Sequence, residues 1–239
     1  MSMKIQCEQP FIQHFEDRDS DYFSHSGRSV AVDSTDIPPG GRQMDFVAKQ
    51  VIYREGNQAD RIYLIRNGLV KLLSYLPNGR ARIVRLHARD HWFGLEGLVN
   101  QPYEHTAIAI GDVQTYCVSR DDLRNLEHNN PQLFAQIFAQ TYRHLSQADC
   151  WIADLSTGGI KPRVARMIDF LSRLEYGESS NIVELLTVHE MADMLGVTSE
   201  SVSRILAEFK RNDLLYKPDA CPEERYNIDP RQLRREALQ

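Results

Sequence analysis

Three polar side chains late in this 239-residue chain, Glu200, Ser203 and Arg204, carry its strongest chemical signal. They fall at i, i+3 and i+4, so a helix would present them on one face, with Ser199 beside them. Arg204 could fork onto guanine O6 and N7, Glu200 could accept from a cytosine amino group, and Ser203 could meet an acceptor or a thymine methyl. That is base-edge chemistry, and it needs a helix narrow and exposed enough to enter a major groove.

The surrounding residues predict such a helix. Thr187 suits an N-cap, and Glu190 three residues on completes a capping box. Ala192 and Leu195 face inward, and Gly196 ends the first helix in the left-handed turn that glycine adopts at little cost. Thr198 caps a second helix whose buried stripe is Val202, Ile205, Leu206 and Phe209. Two short helices joined by a glycine turn form a helix-turn-helix, with the readout residues in the first two turns of the second helix. The plainer alternative is a helical hairpin with a solvated face, but cap, turn glycine, buried stripe and readout residues all fall in register. Beyond it, 212–216 and 225–228 read as a short two-stranded wing.

Upstream, residues 1–45 are polar and turn-rich and read as an extended arm. From Val47 to Val118, short apolar runs alternate with turn signals (Glu55-Gly56-Asn57, Asn67-Gly68, Pro77-Asn78-Gly79) about every ten residues, the texture of a compact β-barrel or roll. Pro77-Asn78-Gly79 is a hairpin tip, with positive φ expected at both Asn78 and Gly79. Asp121 to His128 reads as a short helix. After Pro131, residues Phe134, Phe138, Thr141, Leu145, Ala148, Ile152 and Leu155 recur at spacings of four and three, a heptad seam that predicts pairing with a second copy. The competing reading is a helix packed on its own domain. Ser156-Thr157-Gly158-Gly159 breaks that helix, and a further helix starts near Pro162.

Composition limits what such a chain can be. The net charge is −5, and residues 160–239 hold 12 Lys and Arg against 14 Asp and Glu, so DNA affinity would rest on a local basic surface drawn from Arg204, Lys210, Arg211 and Lys217. No apolar run reaches membrane-spanning length and no secretory signal opens the chain, so a cytoplasmic protein with no membrane partner is expected. Cysteines at 7, 117, 150 and 221 form no CxxC pair and read as free thiols in a reducing compartment.

A β-roll, a long helix, a hinge and a winged helix-turn-helix together resemble the family of the cyclic-AMP receptor protein and the fumarate-nitrate reductase regulator (CRP/FNR), over roughly residues 47–230. Gly56, Gly68 and Gly94 match its structural glycines, and Gly196 to Arg204 matches its recognition helix. Glu200/Ser203/Arg204 is similar to the FNR branch, since the cyclic-AMP branch usually has glycine at the place of Ser203. The resemblance implies an α+β fold: an arm over 1–45, a double-stranded β-helix (a cyclic-nucleotide-binding-like β-roll) over 46–130, a dimerisation helix over 131–157 and a winged helix-turn-helix over 160–239. It implies a non-enzymatic homodimeric regulator on double-stranded DNA, with TTGAT-like half-sites in an inverted repeat and RNA polymerase as a partner. It places phosphate contacts at His189 and Thr198, with Thr187 and Ser199 beside them.

The family's known sensor signatures are altered. Cyclic-nucleotide binders carry a glutamate and an arginine-serine pair in a phosphate cassette. Here the cassette is Gly94, Leu95 and Glu96, then His105 and Thr106, with Leu95 at the glutamate position and His105 at the arginine position. A neutral histidine lacks the charged, bidentate grip of arginine, and Glu96 and Glu104 would repel an anion, so tight cyclic-AMP binding is not expected. Cys7 is the only cysteine ahead of the roll, too few for an FNR-type iron–sulfur cluster with Cys117. Three inputs stay open: haem on an exposed histidine such as His87, His91 or His105, redox chemistry at Cys150 or Cys117, or no effector. A metal-dependent barrel enzyme is disfavoured, because the pair His87 and His91 flanks a turn and no strand pairs ligands at i, i+2, so no metal site is predicted. An adaptor that has lost DNA contact is disfavoured by the intact readout residues.

Overall fold

The computed structural model describes residues 41–123, 126–176, 181–217 and 225–238. The arm expected over 1–45 lies almost wholly outside them. Its last residues instead form a strand, β1 (Arg42–Phe46), whose mostly exposed edge face disguised it as polar arm.

The roll contains β1, β2 (Val51–Tyr53), β3 (Arg61–Tyr75), β4 (Ala81–His87), β5 (Trp92–Phe93) and β6 (Thr106–Ser119), all paired antiparallel. The strand order is β1-β6-β3-β4, with β2 added to β6 and β5 to β3. Asn67-Gly68, a turn signal in the sequence, is a bend inside the single strand β3. The register with β6 shifts on both sides of Asn67, and Gly68 has φ 90° with the Asp112 carbonyl too close for any Cβ. Pro77-Asn78-Gly79 is the β3–β4 hairpin tip as expected, but only Gly79 has positive φ.

The expected helix over 121–128 is a turn followed by α1 (Leu126–Asn129). Helix α2 (Pro131–Cys150) starts on an Asn130 cap, whose side chain accepts from Leu133 N at 3.0 Å, and runs into a π-helical turn, Trp151–Leu155. It has two faces. Leu133, Ile137, Gln140 and His144 are buried; Leu133 and Ile137 pack with Ile62, Leu64, Trp92 and Val118 of the roll. Each such aliphatic side chain contributes about 1.5–3 kcal/mol on burial. One residue further on, the heptad positions Phe134, Phe138, Thr141 and Leu145 point away into solvent. The inner face thus packs on its own domain, and the heptad face is left exposed.

Next come α3 (Ile160–Tyr176), β7 (Ile182–Glu184), α4 (Val188–Leu195), α5 (Ser199–Arg211), β8 (Leu215–Tyr216), β9 (Arg225–Ile228) and α6 (Pro230–Ala237). The wing has three strands in the order β7-β9-β8, one more than the sequence suggested. Strand β7 escapes a sequence pattern because only Val183 of its three residues is buried. A continuous core runs from the outer face of the roll (Leu73, Ile83, Leu86) through α3 (Val164, Met167, Ile168) to α4 and α5 (Met191, Leu195, Val202, Phe209).

Candidate nucleic-acid interface

Local sequence builds the two short helices as anticipated. The Thr187 Oγ1 accepts from Glu190 N, and the Glu190 carboxylate accepts from Thr187 N at 3.1 Å, a complete capping box. Gly196 ends α4 with φ 66°, and its N–H reaches the Ala192 carbonyl. The Thr198 side chain accepts from Ser201 N to cap α5. Val202, Ile205, Leu206 and Phe209 are buried, which turns Glu200, Ser203 and Arg204 outward, and all three are exposed. Thr187, His189 and Thr198 are exposed and Ser199 partly so; Ser199 Oγ lies 3.5 Å from His189 Nδ1, so these phosphate candidates gather where the two helices meet. Arg204, Lys210, Arg211 and Lys217 are all exposed, and Lys210 Nζ donates to Tyr226 OH of the wing at 2.8 Å.

Three basic side chains that sequence reasoning passed over position this unit. Lys71 of β3 pairs with Glu190 at 2.7 Å, with both side chains largely buried. Burial pushes the Glu190 carboxyl up, but the hydrogen bonds from Lys71 and Thr187 outweigh it and hold the group below its ordinary value. Arg82 of β4 donates to the Met194 carbonyl at 3.3 Å and lies over Gly196, where any side chain would collide with its guanidinium. Arg163 of α3 donates to the Leu155 carbonyl at 2.6 Å and to the Leu195 carbonyl, tying the end of the long helix to the end of α4. The capping residue that starts α4 is thus also its anchor to the roll, a double use that helical spacing does not reveal.

On α2 the seam is open. Phe138 is 70%, Leu145 60% and Ile152 67% exposed; Phe134 and Thr141 are exposed and Ala148 partly so, but Leu155, expected at the end of the seam, is buried in the core against α3. Tyr142, which the heptad reading omitted, adds to the same apolar surface.

In the cassette, Gly94 precedes the 3-10 turn Leu95–Val99, and Leu95 packs with the core under α2. Glu96, Glu104 and His105 bring potential ligand atoms within 4.8 Å of one another. Thr106 is buried, and its Oγ1 accepts from Glu55 N at 3.1 Å. An arginine does face this region: Arg85 of β4, missed in the sequence, feels both Glu96 and Glu104. The interior beside it is aromatic, with Tyr53 stacked on Tyr103 at 3.7 Å between ring centres, and Tyr63 and Phe93 next to them. Cys117 belongs to the same core, where burial pushes its thiol up, away from thiolate chemistry. The histidines named as exposed haem ligands need correction: His87 is fully buried at the end of β4 and His91 partly buried, because the turn after β4 is folded under α2, and His105 is partly buried beside Glu96 and Glu104.

Residues 43–130 match the model of the cyclic nucleotide-binding domain, and residues 165–235 match that of the Crp-like helix-turn-helix domain. The transcriptional regulator LdrP of Thermus thermophilus is 31% identical over 172 residues, covering 71% of this chain and 85% of LdrP. The chain belongs to the CRP/FNR family of transcription regulators. A CRP-like cAMP-activated global transcriptional regulator of Mycobacterium tuberculosis is 27% identical over 170 residues, 70% of this chain and 76% of that protein. Among solved structures, a CRP-family regulator of Thermus thermophilus superposes with a TM-score of 0.68 at 27% identity, covering 82% of this chain and 97% of that one. FixK2 from Bradyrhizobium japonicum shares the fold, with a TM-score of 0.72 at 23% identity over 82% of this chain and 96% of FixK2. The α+β architecture of this CRP/FNR protein, a nucleotide-binding-type roll, connecting helices and a C-terminal helix-turn-helix, is that of its relatives. Those relatives are transcription regulators rather than enzymes, and the helix-turn-helix makes DNA the partner. Among the described residues no helix is long and apolar enough to cross a membrane.

Proposed function

We propose that this CRP/FNR protein regulates transcription as a homodimer on an inverted repeat of TTGAT-like half-sites, reading bases with Glu200, Ser203 and Arg204. The observation that carries the proposal is the outward presentation of these three side chains in the first two turns of a recognition helix capped by Thr198. Thr187, His189, Thr198 and Ser199 supply phosphate contacts at the helix junction. The exposed stripe of α2 supports pairing of two copies, because lone monomers rarely leave so large an apolar face in water. A dimer also supplies the affinity that a chain of net charge −5 lacks. By family, RNA polymerase is the downstream partner.

The same reading has no tight cyclic-AMP site and no FNR-type cluster. A phosphate in the cassette would meet Glu96 and Glu104 as well as Arg85, and stacked tyrosines line the region beside it. Cys117 packs in the roll core and Cys150 lies at the end of α2, so the two described cysteines do not share a site. Selection of bound sites from random DNA tests the output. An inverted repeat with TTGAT-like halves is expected, and a direct repeat or an unrelated half-site would overturn it. Isothermal titration tests the input: micromolar binding of cyclic AMP would contradict the second part alone.

A further inference from the structure

Where the roll meets α2, three histidines converge that the DNA-reading function does not use. His87 closes β4, His91 follows it after a tight turn, and His144 reaches them from the inner face of α2. The ring centres are 4.8 Å apart for His87 and His144, 5.2 Å for His91 and His144, and 5.9 Å for His87 and His91. One nitrogen from each lies within 4.8 Å of the other two. His87 and His144 are 1% and 4% exposed, yet His87 Nδ1 and His144 Nε2 have no hydrogen-bond partner. Two orphaned buried nitrogens in one cluster are costly in a folded protein unless something binds them.

We propose that His87, His91 and His144 form a binding site for a divalent transition-metal ion of the zinc class. Imidazole nitrogen suits such ions, and three histidines leave one coordination position for water or a small anion. Bound nitrogens sit about 3.3 Å apart around a tetrahedral ion with bonds of ~2.0–2.1 Å, so modest side-chain closure completes the site. The chemical state is already that of ligands. Burial lowers all three histidines, His91 to about 4 and His144 to about 2, so each is neutral at physiological pH, the form that binds metal. Partly exposed His91 gives the ion its way in. Its Nδ1 accepts only a long contact, 3.4 Å, from Ala88 N, which rotation of the ring gives up at little cost. Arg85 and Arg143 act on the cluster as well and oppose a cation, so affinity comes from the coordination bonds and favours an anion as the fourth ligand.

The position gives the ion a structural consequence. Beside the cluster, Gln140 of α2 clamps the same turn, accepting from Trp92 N at 2.8 Å and donating to the Asp90 carbonyl at 3.1 Å. The ion adds a second link between the turn and the helix that carries the exposed seam. Strand β4, which ends in His87, also holds α4 through Arg82.

The full chain, stripped with chelator and then dialysed against zinc chloride, tests this. About one zinc per chain is expected, with a raised melting temperature, and cobalt(II) should give the visible bands of a tetrahedral nitrogen site. His144→Gln should weaken zinc binding at least tenfold. Because His144 is buried and its replacement can unsettle the fold, His91→Gln at the partly exposed position is the second variant, with the same loss expected and circular dichroism unchanged. Absence of stoichiometric zinc in the wild type, or equal zinc affinity in wild type and folded His91→Gln, would overturn the proposal.

Discussion

Arg204 is the residue on which sequence reading bears most directly. If its guanidinium forks onto guanine, Arg204→Ala should cost about 1–3 kcal/mol in binding and relax the preference at one base position. Gel shifts on a set of singly substituted sites measure both, and an unchanged preference would remove Arg204 from base readout. At this scale the exposed face of the second helix was legible, because a cap, a turn glycine and a buried stripe fix which way a short helix faces. The anchoring residues were not. Lys71 sits 119 positions from Glu190 and Arg82 112 from Met194, and no local spacing relates partners so distant. His144 went unremarked for the same reason: it is a polar residue off the heptad, and its burial is decided by what the roll places opposite it.

Among the elements, α2 presents two distinct faces. Its inner face is built from Leu133, Ile137, Gln140 and His144, and its outer face from Phe134, Phe138 and Leu145. Charge on the outer face should separate copies without harming the protomer. Phe138→Glu with Leu145→Glu should weaken dimerisation at least tenfold and leave the circular dichroism spectrum unchanged. Sedimentation would reveal it, and a persistent dimer would place the interface elsewhere. The heptad was visible because its period is local. The inner stripe runs one residue behind it and includes two polar members, so it does not stand out by hydrophobicity. Strand β3 shows the converse error. Its Asn67-Gly68 resembles a turn, and only pairing with β6 on both sides shows a bent, continuous strand.

Across the whole molecule, the helix-turn-helix is held to the roll by Lys71–Glu190, Arg82 on the Met194 carbonyl and a shared apolar core. Lys71→Met should destabilise the protein by about 1 kcal/mol at neutral pH. Glu190 titrates below its ordinary value of 4.5 in the folded state, so its contribution is complete above that pH and is lost as pH falls through the folded value. The gap in urea midpoint between wild type and Lys71→Met should therefore narrow as pH drops below about 4.5. A gap independent of pH would mean that Lys71 acts by packing alone.

Sequence by itself determined the helix-turn-helix, the presence of a β-roll, the long helix with its exposed face and the family. Each depends on patterns repeated within a few turns or strands, where backbone geometry maps spacing onto a face. Only the tertiary structure decided how the roll grips the first helix of the hairpin and that an arginine faces the cassette glutamates. It alone gathered three histidines from a strand, a turn and a helix around one point. Those features depend on side chains far apart in sequence meeting in low-dielectric surroundings, where pairing, desolvation and unpartnered nitrogens acquire their energetic weight.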